Sequence, residues 1–229
     1  MKAAILALAL ASGTAHARCP AESPALAAHG DEVRLAWIQA RLAHTAHRAT
    51  VWLRGWEIGI VTATVFNAAM IPIVGDTRGH VIDFGVGAAS SVVGLIPFVF
   101  LPPRVIEDHR AVDALAAGPT DRCVVLAEAE QRLAASAAAQ HQQHAWYAHV
   151  GNVAFNAGVV LVFGAFGHWG TGAVNGVAGV LIGETIIYTA PDDQIDDLAR
   201  YRRGDLTPAR ESWQLVPAGT GIAFAYHWR

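Results

Sequence analysis

The sequence predicts an all-α membrane protein with four transmembrane helices, arranged as two duplicated helical hairpins with amphipathic surface helices. Three observations predict this fold: the composition, four uncharged apolar runs and an internal repeat. The chain has 229 residues, of which 53% are hydrophobic and 15% are charged, whereas soluble domains carry roughly 25% charged residues. Long apolar segments must therefore account for much of the chain.

The four apolar runs approach the ~20 residues that a helix needs to cross about 30 Å of hydrocarbon. They lie near 58–75 and 84–101 in the first half, and near 147–164 and 172–190 in the second. Because a bilayer offers no partner to backbone polar groups, each pair with its short connector predicts a helical hairpin. A β-barrel is the architectural alternative, but its strands alternate apolar and polar residues, and runs such as VVLVFGAF do not.

The two halves of the chain repeat at an offset of 89 positions. VFNAAMIPIVG at 65–75 matches AFNAGVVLVFG at 154–164, and the alignment continues without a gap through 108 and 197. Matching glycines and prolines fall at the ends of corresponding helices, which indicates a parallel repeat of two spans per unit. The identical pairs are Phe66/Phe155, Asn67/Asn156, Ala68/Ala157, Gly75/Gly164, Gly87/Gly176, Ala89/Ala178, Gly94/Gly183, Pro102/Pro191, Ile106/Ile195 and Asp108/Asp197.

The amino terminus is typical of a secretory signal peptide covering residues 1–17. A basic residue precedes an apolar stretch and a small-residue pattern that ends at Ala17. The two cysteines, Cys19 and Cys123, form an even pair in an exported chain, which favours a disulfide. These features predict a multi-pass protein of the bacterial inner membrane with both termini in the periplasm. The arginines argue against this orientation, because it leaves only Arg78 in a cytoplasmic loop.

The rest of the chain divides into two repeats and a tail. The first repeat covers 18–110 and the second covers 111–197, and each opens with an amphipathic surface helix before its two spans. The polar tail, 198–229, alternates around Pro217 and Gly219, which predicts a possible β-hairpin. Apolar residues recur at helical spacing in the surface helices at Leu35, Ile38 and Leu42, and at Leu126, Ala129 and Leu133.

Ionisable residues within apolar spans are candidates for function because they are costly to place in a membrane. Glu184 lies in the fourth span, where its repeat counterpart is the apolar Leu95. This carboxylate is either a proton-binding or cation-binding group, or half of an interhelical ion pair for which Arg54 lies near the same membrane face. Arg54 and Glu57 can also pair with each other, since they are three residues apart on a helix.

Asn67 and Asn156 fall near the middle of the first span of each hairpin. Their amides can hydrogen-bond between helices or line a substrate site on the repeat axis. Small residues four apart on the spans allow close approach of helices, within the chain or to a partner. These pairs are Gly87/Ser91, Ser90/Gly94, Gly172/Gly176 and Gly179/Gly183.

Histidines supply the one pattern typical of a metal site. His44 and His47 lie in the first surface helix, and His141 and His144 lie in the second. Residues three apart share a helix face, so the two pairs could assemble a four-imidazole site at the periplasmic surface. Ordinary solvated histidines are the alternative, because the two pairs do not align in the repeat.

Together these features predict a non-enzymatic component of the bacterial envelope, an accessory or scaffold subunit. We expect it to contact the lipid bilayer and to pack with itself or with a membrane protein partner through its glycine-rich faces. The sequence contains no nucleotide-binding loop, nucleophile elbow, H-E-x-x-H or C-x-x-C motif, and it predicts no cofactor. A net charge of −3 without a basic stripe argues against nucleic acid as a partner.

Two alternative functions remain open. One is a small oligomeric transporter or channel that uses Glu184 together with Asn67 and Asn156. The other is a periplasmic metal-binding membrane protein that uses the four histidines.

Two segments near the carboxyl end carry a resemblance to known proteins. They are GVLIGETIIYTAPDDQIDDLARYRRG at 179–204 and WQLVPAGTGIAFAYHW at 213–228. Together with the span pattern and the signal peptide, they resemble multi-pass membrane proteins of Gram-negative bacteria that carry no assigned activity. The resemblance implies the membrane architecture and assigns no catalytic residue, cofactor or partner.

Overall fold

A computed structural model describes residues 18–74, 78–208, 211–218 and 221–228, so the predicted signal peptide lies outside the described residues. This part of the chain folds almost entirely into helices. The elements are α1 (Pro24–Ala27), α2 (Asp31–Val74), α3 (Arg78–Phe100), α4 (Arg104–Ala116), α5 (Arg122–Gln143), α6 (Trp146–Ala165), α7 (Trp169–Thr189), α8 (Asp193–Arg202), β1 (Glu211–Ala218) and β2 (Gly221–Trp228).

Four of the described helical segments are long and apolar enough to cross a membrane, as the sequence predicts. They comprise α6 and the apolar parts of the segments that contain α2, α3 and α7. Helix α2 packs along α3, α6 packs along α7, and the two pairs meet through α3 and α6. Large apolar side chains on these helices are exposed, including Phe66, Phe100 and Leu181.

Helix α2 is one continuous helix of 44 residues, whereas the sequence predicted a surface helix followed by a separate span at 58–75. Between these two parts the chain has one glycine, Gly55, and no proline, and a single glycine lowers helix stability by about 1 kcal/mol without ending the helix. In the second half the surface helix α5 and the apolar helix α6 are separate, with a break at His144 and Ala145.

The polar helices form a second layer with its own hydrophobic core. The amino-terminal half of α2 packs with α4, α5 and α8. Fully buried side chains at this junction belong to α2, α4 and α5, and each of them is at most 1% exposed. They are Ile38, Leu42, Val112, Leu126 and Leu133.

A disulfide fastens the start of the described chain to this layer. The Sγ atoms of Cys19 and Cys123 lie 2.00 Å apart, which confirms the predicted pairing. Asp121 caps α5 by accepting a hydrogen bond from the backbone N–H of Cys123 at 2.9 Å, and Cys123 therefore sits in the first turn of α5. The bridge joins this turn to the segment that precedes α1.

A buried arginine joins three helices of the polar layer. Arg34 of α2 is 0% exposed, donates through Nε to the Tyr201 hydroxyl of α8 at 3.1 Å and pairs with Glu130 of α5. Burial, together with the nearby Glu130 carboxylate, raises the pKa of Tyr201. The phenol therefore stays protonated and donates its own hydrogen bond to Glu130.

The tail contains two antiparallel strands, in the segment where alternation predicts a β-hairpin. Glu211 of β1 pairs with Trp228 of β2, and Ala218 pairs with Gly221. The pair has a regular register along all eight residues of each strand.

Candidate functional site

Four polar residues between α6 and α7 form the strongest candidate site, and we call them the polar cluster: His149, Asn152, Asn156 and Glu184. Glu184 of α7 accepts a hydrogen bond from Asn152 Nδ2 at 2.9 Å, and its other carboxylate oxygen lies 2.6 Å from His149 Nδ1. Asn156 donates through Nδ2 to Asn152 Oδ1 at 2.9 Å. The three α6 residues share a helix face because they are three and four positions apart.

Glycines on α7 allow this close contact. A Cβ atom at Gly179 would overlap Asn156 Oδ1, and a Cβ atom at Gly183 would overlap Asn152 Oδ1. The polar cluster can therefore form only because α7 has no side chain at these two positions.

Gly172 and Gly176 of α7 also pack against α6 inside the hairpin. A Cβ atom at Gly172 would lie 2.7 Å from Phe163 Cβ, and one at Gly176 would overlap Val160. The predicted glycine-rich face of α7 is thus used between α6 and α7. These glycines contact residues of the same chain, and the predicted packing with a partner stays a prediction.

A cavity of about 370 Å³ lies between the two hairpins, beside the polar cluster. All four apolar helices line it, and its volume is in the range of small-molecule pockets, about 300–1,000 Å³. Apolar walls come from residues such as Trp56, Ile60 and Ile182. The polar lining residues are Ser90, Ser91, Asn152, Asn156 and Asn175.

Two contacts join the hairpins at opposite ends of α7. Near its carboxyl end, Trp52 Nε1 of α2 donates to Thr189 Oγ1 at 3.1 Å. Just before its amino end, His168 Nδ1 lies 2.7 Å from Asp83 Oδ1 of α3. The cavity-lining residues of α7 fall between these contacts, so the hairpins are held together on both sides of the cavity.

The partner of Glu184 differs from the one that the sequence suggested. Glu184 contacts His149 and Asn152, whereas Arg54 pairs with Glu57, with Nη1 and Oε2 2.6 Å apart. The Arg54 side chain is 70% exposed. The Arg54 and Glu57 pair thus lies at the surface of α2, apart from the polar cluster.

Asn67 and Asn156 occupy matching places but have different surroundings. Asn67 donates to the backbone oxygen of Ala63 at 2.8 Å, and a Cβ atom at Gly87 of α3 would lie 2.7 Å from its Oδ1. Asn156 is 6% exposed and lines the cavity, whereas Asn67 is not among the lining residues. Each asparagine thus packs on a glycine of the next helix, and only Asn156 belongs to the candidate site.

The predicted metal site is not assembled by the described residues. The histidines of that prediction are His44, His47, His141 and His144. No three of their ring nitrogens lie within 4.8 Å of one another. Among the described residues, the group that meets this spacing is Cys19, Asp31 and Cys123, and its two sulfurs are bonded in the disulfide.

The sequence analysis missed three of the residues around Glu184 and the cavity, although the alignment of the chain with itself at an offset of 89 contained a signal for them. At these positions the second hairpin is polar where the first is apolar. The pairs are His149/Ile60, Asn152/Ala63, Asn175/Val86 and Glu184/Leu95. Comparison of the chain with protein-family models, curated proteins and solved structures finds no match.

Proposed function

We propose that the chain is a non-enzymatic, multi-pass component of the bacterial inner membrane, an accessory or scaffold subunit with both termini in the periplasm. The observation that carries this proposal is the continuity of α2. Its first part contributes Ile38 and Leu42 to the core of the polar layer, and its last part is an apolar helix. Its 44 residues extend over about 66 Å, roughly twice the thickness of a bilayer core. Such a helix joins an extramembrane domain rigidly to a span.

The surface of the apolar helices supports a position in the bilayer. Between Ile58 and Val74, α2 has no charged residue, and Phe66 in this segment is 59% exposed. Leu181 of α7 is 63% exposed. Soluble monomers rarely expose apolar patches of more than a few hundred Å², whereas lipid or a membrane partner covers such a surface.

Two buried aspartates support the duplication. Asp108 and Asp197 are repeat counterparts and are at most 1% exposed. Asp108 Oδ1 accepts from Arg132 Nη1 of the second half at 2.9 Å. Asp197 Oδ1 accepts from Arg41 Nε of the first half at 2.6 Å. Each aspartate thus binds an arginine of the opposite half, as expected for two copies related by a pseudo-twofold axis.

The surface helices that carry these arginines match each other as well. RLAHTA at 41–46 aligns with RLAASA at 132–137. Ser136 donates to the carboxylate of Asp108 at 2.7 Å. Its counterpart Thr45 contacts Gln194, which in turn donates to Asp197. In each copy, therefore, an arginine and a hydroxyl side chain of the surface helix lie near the aspartate of the other copy.

A length difference explains why α2 is continuous and α5 is separate from α6. The surface helices align at an offset of 91 and the spans at an offset of 89, so the second half is two residues shorter between them. Two residues turn an α-helix by about 200°. The break at His144 and Ala145 lets α6 keep its orientation despite the missing residues.

Photo-crosslinking in intact membranes tests the scaffold proposal. A photoreactive residue at Phe66 or Leu181 should form an adduct with a second copy of the chain or with a partner protein. The same residue at Ile187, which is 9% exposed, is the control and should crosslink only within the chain. Adducts with lipid alone at both exposed positions would contradict a scaffold role.

A second candidate function, a small transporter or channel, is favoured by the polar cluster and the adjoining cavity. It uses Glu184 and Asn156, whereas Asn67 lies outside the cavity lining. In this case Glu184→Gln should abolish proton-coupled or cation-coupled uptake into vesicles. Retained uptake would remove the carboxylate from the mechanism.

A further inference from the structure

We infer that the cavity between the hairpins is a binding site for a small organic cation that carries an ammonium group. The inference rests on the second candidate function and names its ligand class. Three features of the molecule support it: the direction of the hydrogen bonds around the cavity, the position of the negative charge and the difference in polarity between the two hairpins.

Hydroxyl and amide groups that line the cavity donate hydrogens to the protein, and of these groups Asn175 keeps one amide hydrogen beyond its bond to Thr171. Ser90 and Ser91 both donate through Oγ to the backbone oxygen of Gly87, at 3.0 and 2.9 Å. Asn175 donates through Nδ2 to the backbone oxygen of Thr171 at 3.0 Å. A hydroxyl has one hydrogen and two lone pairs, and an amide oxygen has two lone pairs. The oxygens of these three side chains are therefore acceptors for a ligand.

Asn156 likewise donates its amide hydrogens to the protein, and it is the most buried polar group of the cavity wall. Its Nδ2 donates to Asn152 Oδ1 at 2.9 Å and to the Asn152 backbone oxygen at 3.0 Å, which leaves Oδ1 as its acceptor, and this oxygen lies against Gly179, another residue of the cavity wall. Asn152 in turn donates through Nδ2 to Glu184 and to the backbone oxygen of Val180. A cavity lined by acceptors favours a ligand that donates hydrogen bonds, and an ammonium group donates three charge-assisted ones.

Negative charge lies one side chain away from the cavity. Glu184 accepts a hydrogen bond from Asn152, which lines the cavity. The negative charge of Glu184 therefore increases the polarity of the Asn152 amide. His149 is the titratable group that contacts Glu184 from α6. Trp56 lines the opposite side on α2, and an aromatic face attracts a cation.

Helix packing alone does not require these polar residues. The first hairpin, α2 and α3, pairs along its length as the second does, yet it has apolar residues at four of the corresponding positions. These are Ile60, Ala63, Val86 and Leu95 in place of His149, Asn152, Asn175 and Glu184. The fold therefore tolerates apolar residues there, and a ligand explains the polarity of the second hairpin.

Calorimetry with the full chain purified in detergent tests the inference. The probe is phenethylammonium, and phenethyl alcohol is a neutral control of similar shape. The ammonium should bind at least about tenfold more tightly than the alcohol, because charge-assisted hydrogen bonds are about twice as strong as neutral ones. Equal affinities, or no binding of the ammonium, would overturn the proposal.

The repeat supplies variants that the hairpin should tolerate. Asn152→Ala, Asn175→Val and Glu184→Leu together introduce the residues of the first hairpin and should lower the affinity for phenethylammonium at least about tenfold. Asn67→Ala is the matched control and should bind as the unmodified chain does. Should the triple variant lose its helical circular dichroism, Asn175→Val alone serves, since Asn175 is exposed, and it too should weaken binding.

The outcomes separate the binding site from the transport function. Unchanged affinity in the folded triple variant, or an equal loss in Asn67→Ala, would overturn the binding site. Binding of phenethylammonium without its uptake into vesicles would support the site and contradict transport.

Discussion

Arg41 of α2 donates through Nε to the carboxylate of Asp197 in α8, 2.6 Å away, and this pair links the two halves of the chain in the core of the polar layer. Both side chains are buried, at 7% and 0% exposure. Arg41→Met should therefore leave the Asp197 carboxylate without its cation in an apolar setting. We expect a loss of about 3–5 kcal/mol in the free energy of unfolding at pH 8, measured by denaturant titration in detergent.

The same variant has a predictable pH dependence. Burial raises the pKa of Asp197, and Arg41 opposes that rise. Because the pKa in the folded state lies above that in the unfolded chain, the stability that this carboxyl contributes falls as pH rises through its folded pKa. Loss of Arg41 raises the folded pKa further, so the deficit of Arg41→Met should be smaller at pH 5 than at pH 8.

Two controls accompany this measurement. The double variant Arg41→Met with Asp197→Leu should recover most of the stability, because it removes both charges from the core. Arg54→Ala removes an exposed ion pair and should cost less than about 1 kcal/mol. An equal loss in Arg41→Met and Arg54→Ala would contradict the role of the buried pair.

Loss of the disulfide should destabilise the polar layer. Cys19→Ser with Cys123→Ser opens a link between residues 104 positions apart, and we expect a loss of about 2–4 kcal/mol. The melting temperature of the variant should be unchanged by a reductant, whereas that of the unmodified chain should fall. A melting temperature of the unmodified chain that does not respond to full reduction would contradict the prediction.

Two glycines that align at an offset of 89 in the sequence offer a matched test of the packing between α6 and α7. A Cβ atom at Gly183 would overlap Asn152, whereas a Cβ atom at Gly94, its counterpart in α3, meets nothing within 4 Å. Gly183→Ala should therefore destabilise the chain by about 1–3 kcal/mol, while Gly94→Ala should be neutral or slightly stabilising. Thermal unfolding in detergent measures both, and equal effects would argue against the contact between Gly183 and Asn152.

An exposed carboxylate after α8 should make a small, acid-sensitive contribution. Hydrogen bonds from Thr207, followed by those from Arg200, lower the pKa of Asp205 to about 2. A folded pKa below the unfolded one contributes stability above the unfolded value, and this contribution is lost as pH falls toward 2. Asp205→Asn should cost less than about 1 kcal/mol at pH 7, since the group is solvent-screened. A deficit in melting temperature that persists unchanged at pH 2 would contradict this.

The four apolar helices and the pairing of Cys19 with Cys123 could be predicted from sequence because both depend on composition along the chain. The partner of Glu184 could not, since it depends on how α6 and α7 are rotated about their axes. Glycines at 179 and 183 set that rotation by admitting Asn152 and Asn156. The matching of Arg41 with Arg132 was also missed, because a two-residue length change hides it from an alignment at a single offset.

The orientation of the chain in the membrane shows whether the polar layer lies in the periplasm, as proposed. A reporter active only in the periplasm is fused after Gly118, between α4 and α5, or after Gly79, in the first turn of α3. Four spans with the polar layer in the periplasm predict activity at Gly118 and none at Gly79. Activity at Gly79 alone would contradict the proposed topology and would place the layer that contains the disulfide on the cytoplasmic side.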